Sequence, residues 1–125
     1  CIGYTPCPPH REVLKTALGS ADSVKWSHAE NVKEELSAWR QKGYQIFALE
    51  QVHNSLPLQE WNKIAQPTVL ILGNEVAGVS EEALALCDGS IEIIQYGTKH
   101  SLNVAVSGGM AIYHIVTQWQ LKKNG

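Results

Sequence analysis

TVLILGNEVAGVS, residues 68–80, joins a strand pattern to the start of a helix and indicates the fold class. The run TVLILG is continuously apolar, which is typical of a strand covered on both faces. Gly73 and Gly78 allow a close backbone approach or a positive φ in the turn that follows. Ser80 is a predicted helix cap, and the helix continues through Leu86. Parallel α/β sheets are built from such strand–turn–helix units.

The same alternation of strand and helix patterns runs along the rest of the chain. Further strands are predicted at YQIFALE (44–50), at SIEII (90–94) and, as shorter pieces, at Ile2 to Tyr4 and Ser23 to Trp26. Helices are predicted over Glu12 to Leu18, over Val32 to Gln41 with Asn31 as the cap, and over about Ser101 to Leu121. Residues 51–67 predict mostly loop, with one helical turn around Leu58, Trp61 and Ile64. Together these elements predict an α/β fold, with a mostly parallel sheet flanked by helices.

Three of the predicted strands end in polar or glycine-rich turns. The turns are ALEQ (48–51), LGNEVAG (72–78) and IIQYGTKHS (93–101). In an open parallel sheet, ligands bind beyond the carboxyl ends of the strands. The sequence therefore predicts a ligand site where these turns converge.

Composition and charge exclude several classes of protein. The chain has 125 residues, enough for one domain, and its 44% hydrophobic and 18% charged residues are typical of a globular domain. Because the net charge is −2, any contact with nucleic-acid phosphates needs a local basic patch. No apolar run reaches the roughly 20 residues of a membrane span, and no signal peptide is visible. The 3 cysteines and 5 histidines lack metal-ligand spacing, so we expect no metal site and reduced, cytoplasmic thiols.

Polar residues in the turns each have a functional and a structural interpretation. Glu75 is either a functional acid or an exposed residue of a tight turn, and the glycine spacing around it lacks the dinucleotide and phosphate-loop patterns. Ser101 is either a helix cap, with Asn103 an exposed residue of the first turn, or part of a helix N-terminus that offers its free N–H groups to an anion. Lys99 and His100, just before them, are either solvated or the cations of that site. A basic cluster in PPHREVLK (8–15) is either a solvated helix start or a patch near the end of the first strand.

Three motifs together resemble a known family. LILGNEVAGVS (70–80), IEIIQYG (91–97) and SLNVAVSGGMAIY (101–113) are similar in order and spacing to the second and third signature motifs of the SpoU (TrmH-type) RNA 2′-O-ribose methyltransferases. These enzymes belong to the SPOUT superfamily of knotted methyltransferases. The segment GYTPCPPHREVLKTALGS (3–20) also resembles the turn and helix after the family's second strand. The chain departs from the family at Ile94, where proline is usual, and at SGG (107–109), where alanines are usual; neither change removes a functional group.

The resemblance implies a deep C-terminal trefoil knot that binds S-adenosylmethionine. Carried over by position, the cofactor-binding residues would be Leu49, Glu50, Gly73, Ile93, Tyr96, Ser101 and Leu102. The catalytic polar residues, which position the catalytic loop and the target ribose, would be Glu75, Ser101 and Asn103. The candidates for contacts with RNA phosphates are Arg11, Lys15, Lys99 and His100.

The implied activity is methyl transfer from S-adenosylmethionine to a ribose 2′-hydroxyl of tRNA or rRNA, without a metal, by a cytoplasmic homodimer with the long C-terminal helix in its interface. No residue here matches the family's first motif, which carries an asparagine and an arginine; Arg11 and Arg40 lie in other segments. We therefore expect residues 1–125 to be one methyltransferase domain that lacks the family's N-terminal strand–helix segment and is poorly active alone. Two alternatives stay open: a non-catalytic RNA-binding paralogue that keeps the knot, and an ordinary nucleotide-binding α/β domain.

Overall fold

The computed structural model describes residues 25, 27–63, 65–74, 77–94 and 104–124. Within these ranges the helices are α1 (Val32–Gln41), α2 (Glu81–Ala85) and α3 (Val104–Asn124). The strands are β1 (Gln45–Leu49), β2 (Leu56–Pro57), β3 (Thr68–Leu72) and β4 (Gly89–Glu92), and a 3₁₀ helix spans Leu58–Glu60. The elements predicted within residues 1–24 lie outside the described residues, as does residue 26.

The four described strands form one sheet in the order β2–β4–β1–β3. Every pairing is parallel, which confirms the predicted α/β class with a parallel sheet flanked by helices. In the register, Leu49 at the end of β1 lies opposite Leu72 on one side and Ile91 on the other. The carboxyl ends of β1, β3 and β4 therefore meet at one edge of the sheet, with β1 in the middle.

β1 is the most deeply buried strand of the sheet. Ile46 and Ala48 are fully buried on one face, and Phe47 is buried on the other. β3 is only half-buried, and Leu72 is 43% exposed. The expectation that the run TVLILG would be covered on both faces was thus wrong.

One face of the sheet packs against α3 through small residues of that helix. Phe47 and Ile91 of the sheet form a buried cluster with Ala111 of α3 and with Leu58 and Trp61. At Gly108, an added Cβ would lie 3.0 Å from Leu72 Cδ1, so the helix approaches the strand closely at this point. Ile115 of α3 also packs against this cluster, whereas most of the other large apolar side chains of the helix are exposed.

Two predicted helix caps are confirmed by hydrogen bonds. Asn31 Oδ1 accepts from the backbone N–H of Glu34 over 3.0 Å, and Ser80 Oγ accepts from the N–H of Ala83 over 3.2 Å. The sheet, α2 and α3 belong to one compact unit that begins at Leu36, and residues 27–35 are described by themselves. In the described part of the chain, no helix combines the length and the apolar character that crossing a membrane requires.

Candidate active site

The structure brings four of the predicted site residues to the carboxyl edge of the sheet. Leu49 ends β1, Glu50 follows it, Gly73 follows β3, and Ile93 follows β4. Because Leu49 pairs with both Leu72 and Ile91, the segments after all three strands start side by side. The other predicted residues lie outside the described ranges; they are Arg11, Lys15, Glu75, Tyr96, Lys99, His100, Ser101, Leu102 and Asn103.

The turn between β3 and α2, residues 73–80, is closed by its own backbone. Asn74 and Gly78 exchange two hydrogen bonds, of 3.1 Å from Asn74 N–H and 2.8 Å from Gly78 N–H. Asn74 Oδ1 also accepts from the N–H of Ala77 over 3.2 Å. Gly78 has a φ of +72°, and a Cβ on Gly73 would lie 2.3 Å from the carbonyl carbon of Gly78. Both properties that the sequence predicted for these glycines, positive φ and close approach, are present.

Glu50 connects this turn to the end of β1. Its carboxylate Oε2 accepts from the N–H of Val79 over 2.8 Å. Its own N–H donates to the carbonyl of Ile91 over 3.0 Å, and its carbonyl accepts from Ser55 Oγ over 3.0 Å. The side chain and backbone of Glu50 thus link the segment after β1 and the turn after β3 to β4 itself.

A mainly apolar cavity lies beside the end of β4. It has a volume of about 240 Å³ and is lined by Leu58, Gln59, Ile93, Ile94, Met110 and His114. His114 Nε2 lies 3.0 Å from the carbonyl oxygen of Trp61, so this nitrogen donates the hydrogen bond. His114 is thus held against Trp61 by a hydrogen bond as well as by ring contact.

The opposite edge of the sheet is held by an ion pair. Arg40 Nη1 lies 3.0 Å from Asp88 Oδ1, and Arg40 Nη2 donates to the carbonyl of Leu86. Asp88 Oδ2 accepts from the N–H of Ile46 over 2.7 Å. Burial alone would raise the pKa of Asp88, but the Ile46 hydrogen bond and the Arg40 guanidinium outweigh it and lower the pKa. Arg40 is therefore occupied away from the carboxyl edge, which agrees with its exclusion as the family's arginine.

Neither a reactive thiol nor a metal centre is found among the described residues. Burial and the neighbouring Asp88 carboxylate raise the pKa of Cys87, although Arg40 acts in the other direction. Its Sγ also donates to the carbonyl of Ala83 over 3.2 Å. A thiol with a raised pKa is a poor nucleophile at neutral pH. Across the described ranges, no 3 or more His, Cys, Asp or Glu side chains lie together so as to hold a metal ion.

The sequence profile of one family covers most of the chain. The match is to the SpoU rRNA Methylase family and spans residues 3–113. The chain belongs to the SpoU rRNA methylase family. This membership agrees with the family that the three sequence motifs resemble. The ends of β1, β3 and β4 therefore converge in a protein of that family.

Relatives of this SpoU family member include enzymes that act on tRNA. A tRNA (guanosine(18)-2'-O)-methyltransferase of Aquifex aeolicus is 36% identical over 103 residues, which are 80% of this chain and 48% of the relative. The chain thus spans about half the length of that curated relative.

Two solved structures share the fold of this family member. The A. aeolicus TrmH/SpoU tRNA modifying enzyme is 33% identical with a TM-score of 0.79, over 88% of this chain and 55% of that one. An AdoMet-bound rRNA methyltransferase from Sinorhizobium meliloti is 26% identical with a TM-score of 0.81, over 91% of this chain and 43% of that one.

Sequence reasoning about this SpoU family member missed two contacts at the site. It placed Glu50 at the edge as a cofactor contact but did not find the bond of its carboxylate to Val79, a residue 29 positions later. It also gave no sign of the bond between His114 and the backbone of Trp61, a residue 53 positions earlier. Both contacts arise only when distant segments pack, and neither residue pair has a local pattern that indicates them.

Proposed function

We propose that this SpoU family chain is the methyltransferase domain of an RNA 2′-O-methyltransferase that uses S-adenosylmethionine and acts on tRNA or rRNA. The observation that carries the proposal is the meeting of Leu49, Gly73 and Ile93 at one edge of a parallel sheet. Ligands of parallel α/β sheets bind at this edge. Support also comes from the relative that methylates guanosine in tRNA and from the related structure that holds AdoMet.

The described edge has the chemistry that S-adenosylmethionine requires. Leu49 and Ile93 are half-buried and Leu72 is 43% exposed, so apolar side chains are available there to contact an adenine ring. Gly73 adds no side chain above the turn, which leaves its backbone groups accessible to a ligand. We propose that Leu49, Gly73 and Ile93 hold the cofactor, together with Tyr96, Ser101 and Leu102. When bound, the cofactor supplies an electrophilic methyl group on a sulfonium centre.

The protein's own task in this reaction is mainly positioning. The ribose hydroxyl must approach in line and must lose its proton, and both requirements depend on side chains that are fixed around it. We propose that Glu75, Ser101 and Asn103 orient the catalytic loop and the ribose. Arg11, Lys15, Lys99 and His100 are the proposed contacts with RNA phosphates, because cationic side chains fix the register of a nucleic acid without reading its sequence.

The proposed active form is a knotted homodimer. The trefoil knot over the C-terminal part rests on the family resemblance. The dimer is supported by α3, whose outward side carries exposed apolar residues: Val106, Met110, Ile112, Tyr113, Val116, Trp119 and Leu121. Contiguous exposed apolar side chains on a small domain mark interaction surfaces. We propose that residues 1–125 belong to one methyltransferase domain, and we assign the reaction to the cytoplasm, where its proposed substrates are found.

The proposal is tested in two steps. Calorimetric titration with S-adenosylmethionine and S-adenosylhomocysteine should give micromolar-range binding. Incubation with labelled S-adenosylmethionine and tRNA or rRNA should then give label that survives alkaline hydrolysis as a dinucleotide, because a 2′-O-methyl group blocks cleavage at that position. Cofactor binding without any alkali-resistant product from the full-length protein would favour the non-catalytic RNA-binding alternative. Absence of binding by the folded full chain would contradict the proposal.

A further inference from the structure

Glu50 makes a hydrogen bond to each of three segments at the carboxyl edge. Its N–H binds the carbonyl of Ile91, and its carbonyl binds the hydroxyl of Ser55. Its carboxylate extends to the β3–α2 turn, where Oε2 accepts from Val79 N–H over 2.8 Å. The backbone therefore fixes the base of the side chain, and the side chain then fixes the turn.

The β3–α2 turn is shaped to receive this carboxylate. A Cβ on Gly78 would lie 2.4 Å from Glu50 Oε2, the same oxygen that binds Val79 N–H. Any other residue at position 78 would displace the carboxylate and would also have to adopt a φ of +72°. The glycine at this position is thus required by the contact with Glu50 as well as by the backbone.

The turn's internal hydrogen bonds do not attach it to the rest of the sheet edge. The two bonds between Asn74 and Gly78 close the turn on itself. The bond from Glu50 joins it to the central strand, across 29 positions of sequence. Val79, the donor, is buried, so this hydrogen bond is shielded from competing water.

We propose that Glu50 is a positioning residue, whose carboxylate holds the β3–α2 turn against the end of β1 and so sets the shape of the cofactor edge. The inference rests on the proposed function, and it assigns Glu50 a role other than direct contact with the cofactor. Loss of this bond leaves the turn free to move, and cofactor binding must then order it again. The requirement is for an acceptor at the right distance and not for a negative charge.

Three substitutions distinguish a need for an acceptor at the right distance from a need for a negative charge. Glu50→Gln keeps the length and an acceptor oxygen but removes the charge. Glu50→Asp keeps the charge but shortens the side chain by one methylene group, so the carboxylate falls short of Val79. Glu50→Ala removes both. Glu60→Asp is the matched control, because Glu60 is an exposed acid on the 3₁₀ helix.

The experiment measures two quantities on the full chain: the hydrogen exchange rate of the Val79 amide by NMR, and the affinity for S-adenosylhomocysteine by calorimetry. Glu50→Asp and Glu50→Ala should speed Val79 exchange and weaken binding by about 10- to 100-fold, the range for losing a hydrogen bond to a charged group. Glu50→Gln should change both by no more than about fivefold, and Glu60→Asp should change neither. In methyl-transfer assays the KM for the cofactor should rise more than kcat falls.

The opposite ranking of the two conservative variants overturns the proposal. If Glu50→Asp keeps wild-type affinity and a protected Val79 amide while Glu50→Gln is as weak as Glu50→Ala, the carboxylate acts through its charge. If Glu50→Ala does not fold, the Asp and Gln variants still decide the question. Failure of the wild-type protein to bind S-adenosylhomocysteine would overturn the proposed function instead, and the exchange rates, which need no cofactor, would still show whether Glu50 holds the turn.

Discussion

Gly73 and Gly78 lie with their backbones in contact: a Cβ built on Gly73 would fall 2.3 Å from the carbonyl carbon of Gly78 and 2.4 Å from the nitrogen of Val79. The atoms in the way are backbone atoms that hydrogen bonds hold in place. Gly73→Ala should therefore lower the free energy of unfolding by about 1–3 kcal/mol, the usual cost of overpacking. It should also abolish binding of S-adenosylhomocysteine. Urea denaturation and calorimetric titration measure the two effects.

Gly109→Ala is the control for this substitution. Nothing lies within 4 Å of the Cβ position of Gly109. Since Gly109 is inside α3, alanine there should stabilise the protein by about 0.5–1 kcal/mol through helix propensity. A Gly73→Ala protein that binds S-adenosylhomocysteine with wild-type affinity would show that the turn tolerates a side chain at this position. That result would contradict the prediction.

Asp88 should stabilise the fold in a pH-dependent way. Its pKa is lowered in the folded protein, so its stabilisation is fully present above the unfolded value, about 3.9, and is lost as pH falls through the lower folded value. Asp88→Asn should cost about 1–2 kcal/mol at pH 7, because charged hydrogen bonds to Ile46 and Arg40 become neutral ones. Urea denaturation at pH 7 and near pH 2 should show this cost at the higher pH only.

Arg40→Ala separates the two partners of Asp88. The Arg40 and Asp88 side chains are partly exposed, so a double-mutant cycle should give a coupling of about 0.2–1 kcal/mol. The larger share of the Asp88 effect should then belong to its partly buried hydrogen bond with the Ile46 N–H. An equal loss of stability for Asp88→Asn at both pH values would mean that packing, and not ionisation, explains the effect.

Local patterns predicted most of the described elements well. The helix predicted over Val32 to Gln41, with Asn31 as its cap, has these same bounds in α1, because a capping signal acts within one turn of the helix. The predicted strands at 44–50, 68–73 and 90–94 differ from β1, β3 and β4 by one or two residues at their ends. Continuous apolar runs between polar turns leave little choice of structure.

Features that depend on distant pairing were not predicted. β2 is only Leu56–Pro57, and it exists because these residues pair with Ile91 and Glu92 of β4; the sequence indicated mostly loop there. The orientation of α3 was also unclear, because large apolar residues occur around much of the helix. The structure buries Gly108 and Ala111 instead, since small residues allow a closer approach to the sheet. Within the site, the link from Glu50 to Val79 likewise required the fold to be known.

His114 should contribute to stability through Trp61. Its Nε2 donates to the carbonyl of Trp61 over 3.0 Å, and the two rings meet edge to face with centroids 6.4 Å apart. His114→Ala should cost about 1–3 kcal/mol, from the lost hydrogen bond and the lost ring contact. His114→Phe keeps a ring without the donor and should recover part of that loss. Urea denaturation followed by circular dichroism tests the series, and a His114→Ala protein of wild-type stability would show that the contact contributes nothing.

The exposed side of α3 should be the surface that joins two copies of the chain. Tyr113 is 75% exposed and Ile112 and Val116 are about half exposed, at 53% and 49%, so several apolar side chains face outward together. A glutamate at Ile112 or Val116 would bury a charge without a partner in a dimer but would cost the folded protomer little. Size-exclusion chromatography with light scattering should therefore show dimers for the wild type and monomers for both variants.

The control for the α3 surface is Lys122→Glu. This substitution changes the charge in the last turn of the same helix and leaves every apolar residue of the surface in place. This variant should remain dimeric, while circular dichroism should show folded protomers for Ile112→Glu and Val116→Glu. Dimers that persist in both glutamate variants would place the interface elsewhere on the chain. A wild-type protein that is monomeric at all concentrations would contradict the predicted dimer. The exposed apolar side chains would then need another explanation, because a contiguous set of this kind is uncommon on a small monomer.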